Sequence, residues 1–233
     1  MNNIHLKSKQ EFEEFLKTHV VKRLGVGGRE GECSLLDNGY VIKKLYKDYY
    51  PQFALQFKDI DIPSFIFAKA GIIVDEFVVA LLMEYAEGKI LNEHRPTDQR
   101  IITLGEHLDT LVGDIKLISG KGVYVTDFHC GNIVYDYNRF RIIDTLPYLL
   151  MPTCNFEKAN IYEIMNRLFD GILDDIMHFG VVRREIGYRG KIERLENPKE
   201  YLLALKGFLE DLSGQRIDTL DEAKLTLTRK FNN

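Results

Sequence analysis

The stretch that decides the fold reads Tyr124-Val-Thr-Asp-Phe-His-Cys-Gly-Asn-Ile-Val-Tyr135 and, after a polar turn at 136–139, continues as Phe140-Arg-Ile-Ile-Asp-Thr145. Asp127 and Asn132 lie five positions apart in a loop that leads directly into apolar, β-branched residues. A second short strand, Phe140 to Ile143, ends on Asp144. The pattern predicts a loop, a strand, a turn, a second strand and a terminal carboxylate.

Such a layout suits phosphoryl transfer. One carboxylate can orient an attacking hydroxyl and accept its proton, while an amide and a second carboxylate can hold Mg²⁺ on nucleotide phosphates. Each of these residues, taken alone, is also an ordinary turn former or helix cap. Their order and spacing, rather than their types, favour the catalytic interpretation.

This arrangement resembles the catalytic loop and metal-binding segment of the protein-kinase-like superfamily. Asp127-Phe-His129-Cys-Gly-Asn132 is similar to the D-x-H-x-x-N form of aminoglycoside phosphotransferases and of small bacterial Ser/Thr protein kinases. The resemblance implies ATP and Mg²⁺ as cofactors. It assigns catalytic roles to Asp127 and Asn132, and metal binding to Asn132 and Asp144. We expect His129 to brace the loop by hydrogen bonding.

A glycine-rich segment, Gly25-Val-Gly-Gly-Arg-Glu-Gly31, follows a predicted strand at Val20–Leu24. Further strands are expected at 33–36 and 40–46, on either side of a tight Asp37-Asn-Gly39 turn. Glycines let backbone N–H groups approach phosphates. The resemblance assigns nucleotide binding to Gly25, Gly27, Gly28 and Gly31, although the segment has one residue more than the kinase G-x-G-x-x-G pattern.

The strand Val41-Ile-Lys-Lys-Leu-Tyr46 carries two candidate phosphate-binding lysines. Neighbouring strand residues face opposite sides, so only one of Lys43 and Lys44 can point into a site. The resemblance favours Lys44, also as a catalytic residue, and leaves Lys43 as the alternative. Without the neighbouring glycine-rich hairpin, the plainer alternative would be that both are solvated charges on an edge strand.

Kinases usually pair this lysine with a glutamate on the following helix. The sequence contains no Glu between Glu32 and Glu76, and the helix expected at 50–58 offers only Gln52 and Gln56. This departure predicts a less firmly positioned lysine.

The apolar run ending Met83-Glu-Tyr-Ala-Glu-Gly88 resembles a kinase hinge. The resemblance makes Met83 the gatekeeper and assigns adenine binding to the backbones of Glu84 and Ala86. A buried strand that ends in a polar turn is the plainer alternative.

The rest of the chain reads as helical. A cap at Thr97 or Asp98 is expected to open a helix to about Ile118, with its apolar stripe in the core. A second long helix is expected to begin between 155 and 158. The segment between Asp144 and that helix is short, so we do not expect control by loop phosphorylation.

Composition further limits the possible partners and location of the protein. The 233 residues are 45% hydrophobic with a net charge of −4, which provides a core but no electrostatic reason to expect nucleic acid as a partner. Cys33, Cys130 and Cys154 do not form a disulfide or zinc pattern, so a cytoplasmic location is expected. No apolar run is long enough to span a bilayer, so no membrane association is expected.

Together these features predict an α+β, bilobal protein-kinase-like fold. Residues 1–85 would form a small lobe with an antiparallel sheet, and residues 86–233 a mainly helical lobe. The expected function is ATP- and Mg²⁺-dependent phosphoryl transfer to a hydroxyl group, as in Ser/Thr protein kinases. The acceptor, protein or small molecule, stays open. The alternatives are a pseudokinase that binds nucleotide without turnover and a small-molecule kinase of the aminoglycoside type.

Overall fold

A computed structural model describes residues 1–24, 30–186 and 191–231 of the chain. The chain is α+β, with a mixed sheet and several helices. It divides into two compact units: residues 1–86 together with 143–146, and residues 87–142 together with 147–233. The short segment after the second strand of the deciding stretch therefore packs with the first unit, whereas the sequence expectation had placed it with the second.

The first unit is built on a six-stranded sheet, in the order β1-β5-β6-β4-β3-β2. Its strands are β1 (Ile4–Leu6), β2 (Val20–Arg23), β3 (Gly31–Leu36), β4 (Tyr40–Tyr49), β5 (Ala70–Val74) and β6 (Phe77–Glu84). The expected antiparallel sheet is in fact mixed, because the edge strand β1 pairs parallel to β5. Strand β1 contains only three residues, Ile4-His-Leu6, which is too short for an alternating apolar pattern to predict a strand.

The sheet of the first unit is covered on both faces. Helix α1 (Lys9–His19) begins after Ser8, whose Oγ accepts a hydrogen bond from the Glu11 N–H at 3.2 Å, the bond typical of an N-cap serine. Phe12 of this helix packs with Ile42 and Ala80 on one face. On the other face, a second apolar cluster contains Val41, Leu45, Ala54, Leu55, Ile66, Ala68, Ile73, Val78, Leu81 and Met83.

The helix expected at 50–58 is much shorter than predicted. Helix α2 covers only Pro51–Ala54. Beyond it, the N–H groups of Lys58 and Ile60 bond carbonyls three residues earlier, at Leu55 and Phe57. Bonds of this i to i−3 type make tight turns, so the chain does not continue as an α-helix.

The second unit contains α3 (Ile101–Gly120), α4 (Glu157–Met177), α5 (Gly180–Glu185), α6 (Lys191–Glu196), α7 (Pro198–Ser213) and α8 (Leu220–Phe231). Helix α3 starts later than the predicted cap, because Arg100 forms a β-bridge with Thr219 and the Ile101 N–H donates to the Asp218 carbonyl at 2.8 Å. Its predicted stripe is confirmed as core: the buried residues are Ile101, Leu104, Leu108, Leu111, Val112 and Ile115.

Two small sheets carry the deciding stretch. Strands β7 (Lys89–Ile90), β9 (Ile133–Tyr135) and β10 (Phe140–Ile142) form one, and β8 (Val123–Tyr124) pairs with β11 (Leu149–Leu150) in the other. The predicted hairpin is confirmed, with Tyr135 opposite Phe140. A 3₁₀ turn, Cys130–Asn132, leads into β9.

None of the helices within the described residues has the length and apolar character needed to cross a membrane.

Candidate functional site

Lys43 is a charged residue that is buried in the first unit. Its side chain, 6% exposed, projects from β4 on the face that carries Val41 and Leu45. The ammonium forms ion pairs with the carboxylates of Asp144 and Glu30. Burial alone would lower the pKa of Lys43, but the charge and hydrogen bond of Asp144, supported by Glu30, outweigh burial and raise it. Lys43 is therefore held as a cation among apolar neighbours.

Lys44, which the resemblance favoured, faces the other way. Its Nζ lies 2.6 Å from the Glu13 Oε1 of helix α1 and 5.9 Å from the centroid of the Phe12 ring. The side chain is 37% exposed. Because residues alternate along a strand, the turn of Lys43 toward Asp144 sends Lys44 to the helix-covered face. Of the two lysines, Lys43 is the one placed to meet a ligand near Asp144.

Glu30 is the residue that sequence reasoning missed. Its Oε2 lies 2.9 Å from the Lys43 Nζ, and its side chain is 24% exposed. The expectation of a poorly positioned lysine is therefore wrong, because Lys43 has a glutamate partner at the start of β3. The sequence prediction considered only the helix that follows Lys43, whereas the glutamate partner precedes Lys43. The sequence did contain a signal. Glu30 is the acidic residue of the glycine-rich segment, and that segment leads into the hairpin whose second strand carries Lys43.

Asp144 follows β10 with its backbone in the left-handed region, at a φ of 60°. Non-glycine residues adopt this conformation seldom, and it concentrates at sites where surrounding structure enforces it. The enforcement is visible at the next residue: the Oγ1 of buried Thr145 donates to the Ile66 carbonyl at 2.9 Å. The Asp144 side chain remains 35% exposed, so one side of the carboxylate is open to a ligand.

An apolar cluster lies on the same face of β4 as Lys43. Partly buried residues pack against the apolar cluster that contains Val41 and Met83; they are Leu24, Cys33, Tyr49, Ala86, Ile143 and Leu146. Burial raises the pKa of the Cys33 thiol, with Lys43 partly opposing it, so Cys33 serves here as a small apolar residue.

The predicted hinge residues lie at the end of β6. Met83 is buried within the apolar cluster, Glu84 is exposed opposite Tyr40 in the ladder, and Ala86 packs against the cluster beyond the strand. This is the buried strand that both interpretations of the segment require. Adenine binding by its backbone stays a prediction.

Gly31 opens β3 in a position that no side chain could occupy. A Cβ there would lie 2.1 Å from the Lys44 carbonyl oxygen. The close approach of the two strands explains the glycine, without reference to a ligand. The other predicted glycines lie outside the described residues; they are Gly25, Gly27 and Gly28.

In the second unit, Asp127 occupies the predicted catalytic loop. Its side chain is exposed, and its backbone has a φ of 52°, again in the left-handed region. The neighbours on either side anchor it: Thr126 Oγ1 donates to the Pro147 carbonyl at 2.7 Å, and Phe128 is buried. A strained, exposed carboxylate between two anchored residues is typical of a functional position.

His129 and Asn132 shape the rest of this loop. The His129 Nδ1 accepts from the Gly131 N–H at 3.1 Å and caps the 3₁₀ turn, which confirms its expected bracing role. Asn132 is buried, and its Nδ2 lies 3.4 Å from the Asp127 carbonyl oxygen, within hydrogen-bonding distance. The Asn132 amide therefore ties the two ends of the loop together.

Asn160, on helix α4, is a second residue that sequence reasoning missed. It is fully buried, and its Oδ1 accepts from the Val125 N–H at 2.9 Å. Its Nδ2 donates to the Val123 carbonyl and to the Ser119 Oγ, both at 2.8 Å. One amide thus fixes the strand that leads into the Asp127 loop.

The donor set can be tested against Mg²⁺. Within the described residues there is no group of three or more His, Cys, Asp or Glu side chains that could hold a metal alone. Mg²⁺ seldom uses such a cage; one or two protein oxygens plus substrate phosphates and water suffice. The half-open Asp144 carboxylate fits that requirement.

Comparison of the sequence with protein-family models gave no match, and no curated protein matched it either.

Proposed function

We propose that the chain is an ATP- and Mg²⁺-dependent phosphotransferase with a bilobal protein-kinase-like fold, the first unit being the sheet lobe and the second the helical lobe. The reaction transfers the γ-phosphate to a hydroxyl group, in the manner of a small Ser/Thr protein kinase. One observation carries the proposal. Lys43 and Asp144 form an ion pair although they lie 101 positions apart in the sequence. Lys43 was a candidate for phosphate binding and Asp144 a candidate for metal binding, on separate grounds.

The first unit supplies the nucleotide-binding residues. Lys43 binds the phosphates, as the cation that the site keeps charged. Leu24 and Ala86, which pack against the apolar cluster of Val41 and Met83, contact the adenine, and the backbones of Glu84 and Ala86 bind its polar edge. Lys44 has no part in binding.

The second unit supplies the residues for the acceptor. Asp127 orients the hydroxyl group and accepts its proton as the oxygen attacks the phosphorus. The proposed ligands of Mg²⁺, which neutralises phosphate charge when bound, are Asn132 of this unit and Asp144 of the first unit. The left-handed backbone at Asp127 and the bonds at Thr126 and Asn132 keep the Asp127 backbone in one conformation, so little backbone ordering is needed at the moment of transfer.

A second candidate is a pseudokinase that binds nucleotide without turnover. The observation that favours it is the closed pairing of Lys43 with two carboxylates. A cation already compensated in this way has less charge to offer a phosphate.

A small-molecule acceptor is the other alternative. Residues 145–156 separate Asp144 from α4, and Leu149–Leu150 within them pair with β8. A short segment committed to its own strand pairing offers little surface for docking an extended peptide.

The test is transfer of labelled phosphate from ATP to purified acceptor panels, one of proteins and one of hydroxyl-bearing metabolites, by the wild-type protein and by Asp127→Asn. Loss of a positioned general base costs about 10²–10⁴-fold in rate, while ATP affinity should be unchanged. Full transfer by Asp127→Asn would refute the role of Asp127. ATP binding by the wild type without transfer to any acceptor would favour the pseudokinase.

A further inference from the structure

We infer that Glu30 is the positioning residue for Lys43 in the nucleotide site, so that the start of a strand supplies the carboxylate that kinases take from a helix. The inference rests on the proposed function and deepens it, because it states how this chain keeps its phosphate-binding cation in place without a helix glutamate.

The contact is direct and sheltered. The Glu30 Oε2 lies 2.9 Å from the Lys43 Nζ, and the lysine side chain is 6% exposed. Charge-assisted hydrogen bonds are stronger than neutral ones, and burial reduces the screening by water. The pair is therefore a different case from the exposed ion pairs on the surface of the same unit, such as that of Lys9 with Asp48.

The backbone of Glu30 is fixed by the hairpin. Its carbonyl accepts from the Tyr46 N–H at 2.9 Å, and Gly31 next to it pairs with Leu45. Because Gly31 lacks a Cβ, the strands approach closely here. Glu30 is thus tied through its carbonyl to β4, immediately before β3 begins.

The helix that would supply the usual glutamate cannot do so. Helix α2 is one turn of Pro51-Gln-Phe-Ala54 and contains no acidic residue. Glu30, which precedes Lys43 in the sequence, takes the place of the glutamate that this later helix lacks.

Two carboxylates on one lysine have a mechanistic consequence. When the Asp144 carboxylate turns to Mg²⁺ and phosphate, its bond to Lys43 must weaken. Glu30 does not need to bind the metal, so it continues to orient the ammonium. A lysine side chain loses rotamer entropy when it is fixed. Glu30 fixes it before the nucleotide arrives, which favours binding.

The experiment measures the affinity for ATP with Mg²⁺ by calorimetry in Glu30→Gln and in Glu32→Gln. Glu32 is the matched control: it is an exposed glutamate on the same strand, 3.5 Å from the Tyr46 hydroxyl. We expect Glu30→Gln to weaken binding by about tenfold, the effect of one hydrogen bond to a charged group, and Glu32→Gln to change it by less than about twofold.

A double-mutant cycle separates positioning from a merely structural role. In a Lys43→Met background, Glu30→Gln should weaken ATP binding no further, because the group it positions is gone. Glu30→Asp, which keeps the charge on a shorter stem, should recover part of the affinity. Melting temperatures without ligand identify any variant that has lost its fold.

Unchanged affinity in Glu30→Gln, or an equal loss with and without Lys43, would overturn the inference and leave the proposed function intact. Failure of the wild-type protein to bind ATP with Mg²⁺ would overturn both.

Discussion

The Oδ1 of Asn160 accepts a hydrogen bond from the Val125 N–H at 2.9 Å, so helix α4 holds the residue two positions before Asp127. Asn160→Ala would leave the Val125 N–H and the Val123 carbonyl buried without this partner. Each buried polar group left unsatisfied costs about 1–3 kcal/mol, so we expect the free energy of unfolding to fall by about 2–4 kcal/mol. Urea denaturation measures the change.

Asn166→Ala is the control for this prediction. Asn166 lies on the same helix, only partly buried, and its Nδ2 is 3.4 Å from the Asp170 carboxylate. We expect a loss below about 0.5 kcal/mol. Equal losses in the two variants would show that the Asn160 amide does not hold the loop.

Two glycine-to-alanine changes should act in opposite directions. Gly31→Ala would place a Cβ 2.1 Å from the Lys44 carbonyl oxygen, so β3 and β4 must separate; we expect a loss of at least about 2 kcal/mol. Gly113→Ala, on an exposed face of helix α3 with open space around it, should stabilise by about 0.5–1 kcal/mol. Thermal and urea unfolding of both variants test the pair. A stable Gly31→Ala protein would contradict the strand geometry.

His107 should make the second unit sensitive to mild acid. Its Nδ1 lies 3.0 Å from the Tyr135 hydroxyl oxygen, and burial lowers the pKa of the imidazole, with Glu106 and Asp136 partly opposing. Above a pH of about 6.5 the ring is neutral in both states. As the pH falls below that value, the unfolded chain binds the proton before the native one, so stability falls until the pH passes the folded-state pKa.

NMR titration of the His107 ring and urea unfolding on both sides of neutrality measure this effect. In His107→Gln the acid-side loss of stability should be smaller than in the wild type. A measured pKa at or above that of a solvated histidine would contradict the prediction.

The elements that sequence patterns predicted best are those whose residues repeat. The stripe on α3 and the hairpin Ile133–Tyr135 with Phe140–Ile142 were readable because apolar spacing alone specifies them. The order of Asp127, Asn132 and Asp144 along the chain was equally readable. Their left-handed backbones, at Asp127 and Asp144, were not, because local sequence tolerates several conformations there.

The choice between Lys43 and Lys44 shows what a single strand cannot reveal. Side chains alternate along a strand, so the two lysines must face opposite sides of β4. Both sides are covered, one by helix α1 and the other by the second apolar cluster, so alternation alone does not show which lysine lies in a site. Only the packing of α1 places Glu13 beside Lys44. Glu30 was missed for a related reason, since its contact with Lys43 depends on the pairing of two strands rather than on either one.

The most direct test of the account uses the two neighbouring lysines as each other's control. Melting temperatures of the wild type, Lys43→Met and Lys44→Met are measured with ATP, with and without Mg²⁺. A ligand that binds only the folded state stabilises by about 2.7 kcal/mol at a hundredfold excess over its Kd. We expect a Mg²⁺-dependent rise in the wild type and in Lys44→Met, and a much smaller rise in Lys43→Met. A rise that survives in Lys43→Met and disappears in Lys44→Met, or no rise in the wild type, would contradict it.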